Sequence, residues 1–84
     1  MRARTDFWHL GIMRNDALMI DMSQHARNGD IVVANLVDTL AGSATTILAR
    51  LIADHLVTGP NDTPIPLSEQ TSVFGKVTSV IRLI

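Results

Sequence analysis

The sequence contains no cysteine. Disulfide scaffolds and cysteine-based zinc sites are therefore excluded, and cysteine usage gives no sign of the redox compartment. An excess of charge of one sign is also missing. Seven basic residues stand against eight acidic ones, spread along 84 residues for a net charge of −1. There is no basic patch of the kind that grips duplex DNA. Lysine is nearly absent, Lys76 being the only one. No apolar run approaches the roughly 18 residues that a membrane-spanning helix needs. Arg2 and Arg4 open the chain, but Asp6, His9, Arg14 and Asp16 interrupt any signal-peptide core. These absences lead to the expectation of a soluble, cytoplasmic protein with no direct nucleic-acid or membrane contact. The length allows one domain, residues 1–84. A core this small gains from apolar area buried at a dimer interface.

What is present is patterned for strands. Residues 1–10 show no clear period and are expected to be irregular. Gly11 to Asp16 reads as a turn, and Ala17 to Met22 as a short strand. Asn28-Gly29-Asp30 is a strong turn signal, because Asn and Gly tolerate positive φ. Ile31 to Val37 is β-branched and apolar on both alternating faces, which predicts a strand covered on both sides. Val73 to Ile84 alternates Val73, Val77, Ile81 and Leu83 with Lys76, Thr78 and Arg82, the pattern of a strand. Gly75 within it marks a bulge or a close backbone approach. All three prolines fall within Gly59 to Pro66, which reads as a loop. Thr45 to Leu56 is open to two readings. Ile47, Leu48, Leu51, Ile52 and Leu56 share one helical face that Ser43 could cap, so periodicity alone predicts a helix there.

Three segments, in order, resemble the C-terminal domain of LexA-type repressors and self-cleaving serine peptidases. Gly11-Ile12-Met13-Arg14-Asn15-Asp16 followed by Ala17-Leu18-Met19-Ile20 is similar to the family's Gly-Ile-Met-x-Gly-Asp turn and strand. Ala26-Arg27-Asn28-Gly29-Asp30-Ile31-Val32-Val33-Ala34 looks like its Arg-Asn-Gly-x-Val-Val-Val-Ala turn and strand. Phe74-Gly75-Lys76-Val77-Thr78-Ser79-Val80-Ile81-Arg82 resembles its closing strand. The resemblance implies a mostly β fold of short strands and hairpins, LexA-like and peptidase-type. It also implies a strand where periodicity suggests a helix. Propensity is the weaker guide, since tertiary context overrides it.

The family's peptidases use a serine nucleophile and a lysine base whose pKa falls on desolvation. The serine precedes the Gly-Ile-Met turn, yet Arg4 to Leu10 contains none, and Asp6 stands in its place. The lysine belongs on the following strand, where Leu48 or Ala49 takes its position. A Ser-Lys dyad is therefore degenerate at both positions, and no catalytic residue or cofactor is expected. Lys76 is expected to be a solvated strand-face charge. Ala41-Gly42 matches the bond that such repressors cut, but it follows the second strand and reads as an ordinary loop. His9, His25 and His55 lack the short spacing of a metal pair. Asp21 and Asp30 are expected to cap a turn, the Phe7-Trp8 pair to pack in the core or an interface, and Ser23 to have no catalytic part.

The resulting expectation is a non-catalytic LexA- or phage-repressor-like dimerisation domain. The resemblance implies a helix-turn-helix DNA-binding domain or protein as its partner, and no such segment lies within these 84 residues. The homodimer is expected to use the closing strand, through Val77, Ser79, Ile81 and Leu83, because an apolar strand at a sheet edge pairs readily with its copy. The alternatives are a truncated fragment of a self-cleaving Ser-Lys peptidase and an unrelated helical or mixed protein-binding module.

Overall fold

The structure is a computed structural model that describes residues 1–38, 40–68 and 70–82. It is mostly β. The strands are β1 (Ala17–Asp21), β2 (Ile31–Asp38), β3 (Ser43–Ile52), β4 (His55–Val57), β5 (Ile65–Pro66) and β6 (Thr71–Ile81). They form one antiparallel sheet in the order β1-β6-β2-β3-β4-β5. The expected strands at Ala17–Met22, Ile31–Val37 and Val73–Ile84 correspond to β1, β2 and β6. Leu83 and Ile84 lie outside the described residues.

The core is divided by the sheet. Along β2, Val32, Val33 and Ala34 are all buried, so both faces must be covered at this point. Val33 pairs with Leu48 of β3. These two join Leu18, and the N-terminal Ala3, Leu10 and Ile12, in one cluster on the first face. Val32 pairs with Ala49 and joins Ala34, Leu51 and Leu56 in a second cluster on the opposite face. The N-terminal segment, which has no period of its own, is held against β1. Ala3 N–H donates to Asp16 O at 2.9 Å, and Leu18 N–H donates to Met1 O at 2.6 Å.

Thr45 to Leu56 is not a helix but the hairpin of β3 and β4. The helical period is an artefact of burial on both faces. Leu48 serves the first cluster while Ile47, Ala49, Leu51 and Leu56 serve the second, which erases the alternation that usually marks a strand. Packing decides the outcome. Helix propensities of ordinary residues differ by at most about 0.7 kcal/mol, whereas burying one leucine side chain contributes about 1.5–3 kcal/mol. The connecting turn is Ala53-Asp54, with φ of 49° and 60°. Two consecutive positive φ values are what a two-residue turn needs to match strand twist.

β6 is a long strand with two half-partners. β2 pairs with it from Thr71 to Lys76, and β1 pairs with it from Lys76 to Ile81. It therefore lies inside the sheet order, and the expectation of a closing strand at the sheet edge is corrected. Among the described residues its second half, running past the start of β2, has an open margin on the β2 side, and its first half one on the β1 side. The register skips Phe74 on the β2 side and Thr78 on the β1 side. Such bulges sharpen the local twist.

Gly75 sits between these irregularities at a close backbone approach. A Cβ there would lie 2.7 Å from Ile20 Cγ2 and 2.9 Å from the Asp21 carbonyl oxygen. The carbonyl is backbone and cannot swing aside. Gly75→Ala is expected to destabilise the fold by about 1–3 kcal/mol, the usual cost of overpacking. Urea unfolding of the two proteins measures the difference, and equal midpoints would show that β1 and β6 have slack at this crossing.

Candidate functional site

The turn before β1 holds the most committed polar group of the chain. Asp16 is only 1% exposed. Its Oδ2 accepts from Met13 N–H at 2.8 Å and from Arg82 Nη2 at 2.9 Å, and its Oδ1 accepts from Arg82 Nε at 3.0 Å. The planar guanidinium suits this two-pronged grip. Arg82 Nη2 also donates to Gly11 O at 3.2 Å. The end of β6 is thus fastened to the turn that leads into β1. Hydrogen bonds from Arg82 and then from the Met13 amide hold Asp16 below the ordinary carboxylate range.

The two positions that the resemblance would assign to a dyad lie in different settings. Asp6 is exposed, and its Oδ1 accepts from Arg14 N–H at 2.8 Å. Leu48 is buried in the first cluster, beside which Phe7 packs. Ala49 faces the second cluster, across the sheet. Leu48, not Ala49, therefore shares a face with the segment that carries Asp6. A desolvated lysine there could act as a base, but a leucine offers no proton acceptor. A carboxylate that already caps a turn is no acyl nucleophile.

A groove of about 1160 Å³ opens over this face. Its lining includes Arg2, Arg4 and Arg14 of the N-terminal segment and Thr46 and Leu48 of β3. Arg2 Nη1 donates to Asn15 O at 3.2 Å. Arg2 and Arg4 are visible together at the start of the chain, but Arg14 joins them only through the fold, so sequence reading missed the cluster. Asp16 and Arg82 also escaped it, since a pair 66 residues apart has no local signal.

The remaining candidates separate. His9 and His25 are exposed, and His55 Nδ1 lies 2.8 Å from Ala53 O. Among the described residues no three acidic or histidine side chains gather to hold a metal. Asp21 Oδ1 accepts from the amide and hydroxyl of Ser23 at 2.8 and 2.7 Å, and Asp30 Oδ2 accepts from Arg27 N–H at 2.8 Å. Both act as turn caps. Lys76 is half-buried on its strand, with Nζ 3.9 Å from Asp30 Oδ2. Ala41-Gly42 lies in the exposed connection between β2 and β3. Trp8 is 73% exposed, so only Phe7 of the aromatic pair packs against the core. Of the expected interface residues, Val77 borders the first cluster, Ser79 and Ile81 are exposed, and Leu83 lies outside the described residues.

No family model matches the chain, and no curated protein matches it. Among the described residues, no helix is long and apolar enough to cross a membrane.

Two outcomes follow from this geometry. The folded pKa of Asp16 lies below the unfolded value of about 3.9, so the unfolded chain takes up protons first as pH falls. The stability that the Arg82 pair adds is complete above that value and is lost as pH falls through the folded one. Asp21, lowered by the Ser23 hydroxyl and amide, acts in the same direction. Thermal unfolding from pH 7 to pH 3 should show Asp16→Asn less stable at neutral pH and with a shallower acid decline than wild type. Parallel pH profiles for the two proteins would contradict the assignment. Secondly, the chain should keep its mass during incubation at mildly alkaline pH, where a lysine base would lose its proton. A discrete fragment that vanishes when one serine is mutated would count against the degenerate dyad.

Proposed function

We propose that this chain is a non-catalytic, self-associating β domain of the LexA and phage-repressor kind. Its role is to pair two copies of a cytoplasmic transcriptional regulator through a joined helix-turn-helix domain or protein. The observation that carries the reading is the open margin of β6. Leu18 exchanges hydrogen bonds with Met1, at 2.6 and 3.1 Å, so its backbone points away from β6. By alternation, Ala17 and Met19 point toward β6, and their partners Ile81 and Ser79 point back. The N–H and C=O of Val80 then face the open margin. Apolar side chains of β6 itself stand beside it: Val80 is 39% exposed and Ile81 47%. An unpaired edge with such neighbours favours pairing with another strand, and a two-fold axis lets the edge meet its own copy.

The degenerate dyad supports the same reading, because the family's fold without its chemistry leaves association as its remaining role. Ile81 is exposed enough to be a usable probe. Arg82 is not, since Arg82→Glu would place a second carboxylate beside Asp16. Sedimentation over a wide concentration range is expected to show a dimer, and Ile81→Lys to give a monomer with an unchanged circular dichroism spectrum. The wild-type melting temperature should also rise with protein concentration. A wild-type monomer at high micromolar concentration would rule the dimer out.

A further inference from the structure

We infer that the arginine-lined groove binds an acidic, extended peptide that adds as a strand to the outer edge of β3. The edge is open because β4 pairs only with Arg50, Leu51 and Ile52, while β3 begins at Ser43. Its direction follows from the hydrogen bonds. Leu51 N–H donates to Asp30 O at 2.9 Å, and Gly29 N–H donates to Leu51 O at 2.6 Å. The backbone of Leu51 therefore points toward β2. The register between β2 and β3 runs without a shift, so Ala49, Ile47 and Thr45 point the same way. The N–H and C=O groups of Leu48, Thr46 and Ala44 point outward. Among the described residues, no backbone partner meets them. This is a row of main-chain donors and acceptors about 13 Å long, at about 3.3 Å per residue.

The side chains above this edge set the chemistry of the occupant. Thr46 and Leu48 lie on the face that carries the groove, whose lining also holds Arg2, Arg4 and Arg14. Three guanidinium groups meet one lining carboxylate, Asp62, which already accepts from Thr58 Oγ1 at 2.7 Å. Among the described residues the side chains of Arg4 and Arg14 make no ion pair, the pairs formed being those of Lys76 and Arg82. The local charge is thus positive on a chain of net charge −1. The groove's volume exceeds that of most small-molecule sites. An open strand edge supplies affinity for a peptide main chain, and flanking pockets supply side-chain selection. A nucleic acid would use the arginines but leave the edge unmatched. The inference is independent of pairing through β6, which uses a different margin.

Register makes the test specific. In the antiparallel orientation that every strand pair of this sheet adopts, a peptide residue bonded to the outward groups of β3 places its side chain on the same face as Thr46 and Leu48. Acidic side chains on the arginine face therefore belong to the peptide residues whose own N–H groups bond to β3. The probe is a fluorescein-labelled peptide of alternating glutamate and valine, eight residues long, followed by fluorescence anisotropy with the full chain. It is expected to bind, and more weakly as salt rises. N-methylation of the glutamates should abolish binding, whereas N-methylation of the valines should leave it. Arg4→Glu with Arg14→Glu should lower affinity about tenfold or more, the scale of lost charge-assisted bonds, with the circular dichroism spectrum unchanged. Equal binding of a lysine-valine peptide, equal effects of the two methylations, or tighter binding of a thymidylate octamer would each overturn the inference. So would absence of peptide binding together with loss of self-association in the arginine variant, which would make a second copy the occupant.

Discussion

Three adjacent buried residues on β2 set the terms for the whole chain. Val32, Val33 and Ala34 point alternately to the two faces of the sheet, yet none is exposed. An ordinary two-layer domain covers one face of such a sheet and leaves the other to water. Here each face needs a cover, and the described residues supply no helix beyond a short 3-10 turn, Trp8–Leu10. The N-terminal segment covers the first face with Ala3, Leu10 and Ile12, and Phe7 packs beside them. On the second, Val32 and Ala34 pack with Ala49, Leu51 and Leu56 of β3 and β4, with Ala26 and Ile65 alongside. Each cover is short, so each has to be fastened by specific bonds. This explains why a stretch with no periodicity is nonetheless ordered by backbone bonds to β1.

The fastening of the first cover links the two ends of the sequence. Asp16 gathers the turn through Met13 and the last described stretch through Arg82. The same face carries the groove, whose arginines sit on the cover and whose free edge belongs to β3. The groove is therefore a seam between the sheet and the segment laid over it. Its lining comes from parts of the chain that meet only when the core is complete. The margin of β6 lies elsewhere, beside Val80 and Ile81.

Much of the fold was legible in the sequence wherever one local rule dominated. Asn28-Gly29-Asp30 turns because Asn and Gly accept the backbone angles required, and Gly29 takes a φ of 95°. β2 was readable as a doubly covered strand because both of its alternating faces are apolar. The same property hid β3, where apolar residues on both faces imitate a helical stripe. Ala53-Asp54 gave no hairpin signal, since alanine seldom adopts the left-handed region. The resemblance could assign its lysine position only to Leu48 or Ala49, because two neighbours on a strand differ in face and a one-dimensional count does not separate them. The Asp16–Arg82 pair depends on β1 meeting β6, and the arginine groove on the N-terminal segment meeting β3; no local pattern encodes either.

That meeting has a consequence in time. The pairing of Ala17 with Ile81 closes nearly the whole length of the chain, whereas β2, β3 and β4 are joined by short connections. On a ribosome the inner hairpins can assemble while β1 is still without its partner. β1 must wait, with Leu18 and Ile20 uncovered, until the last strand has emerged. Long-range closure of this kind slows folding, and the waiting apolar strand is the segment most open to a wrong partner. Gly75, set where β6 must pass tightly against Ile20 and Asp21, lies at the crossing where that late closure is completed.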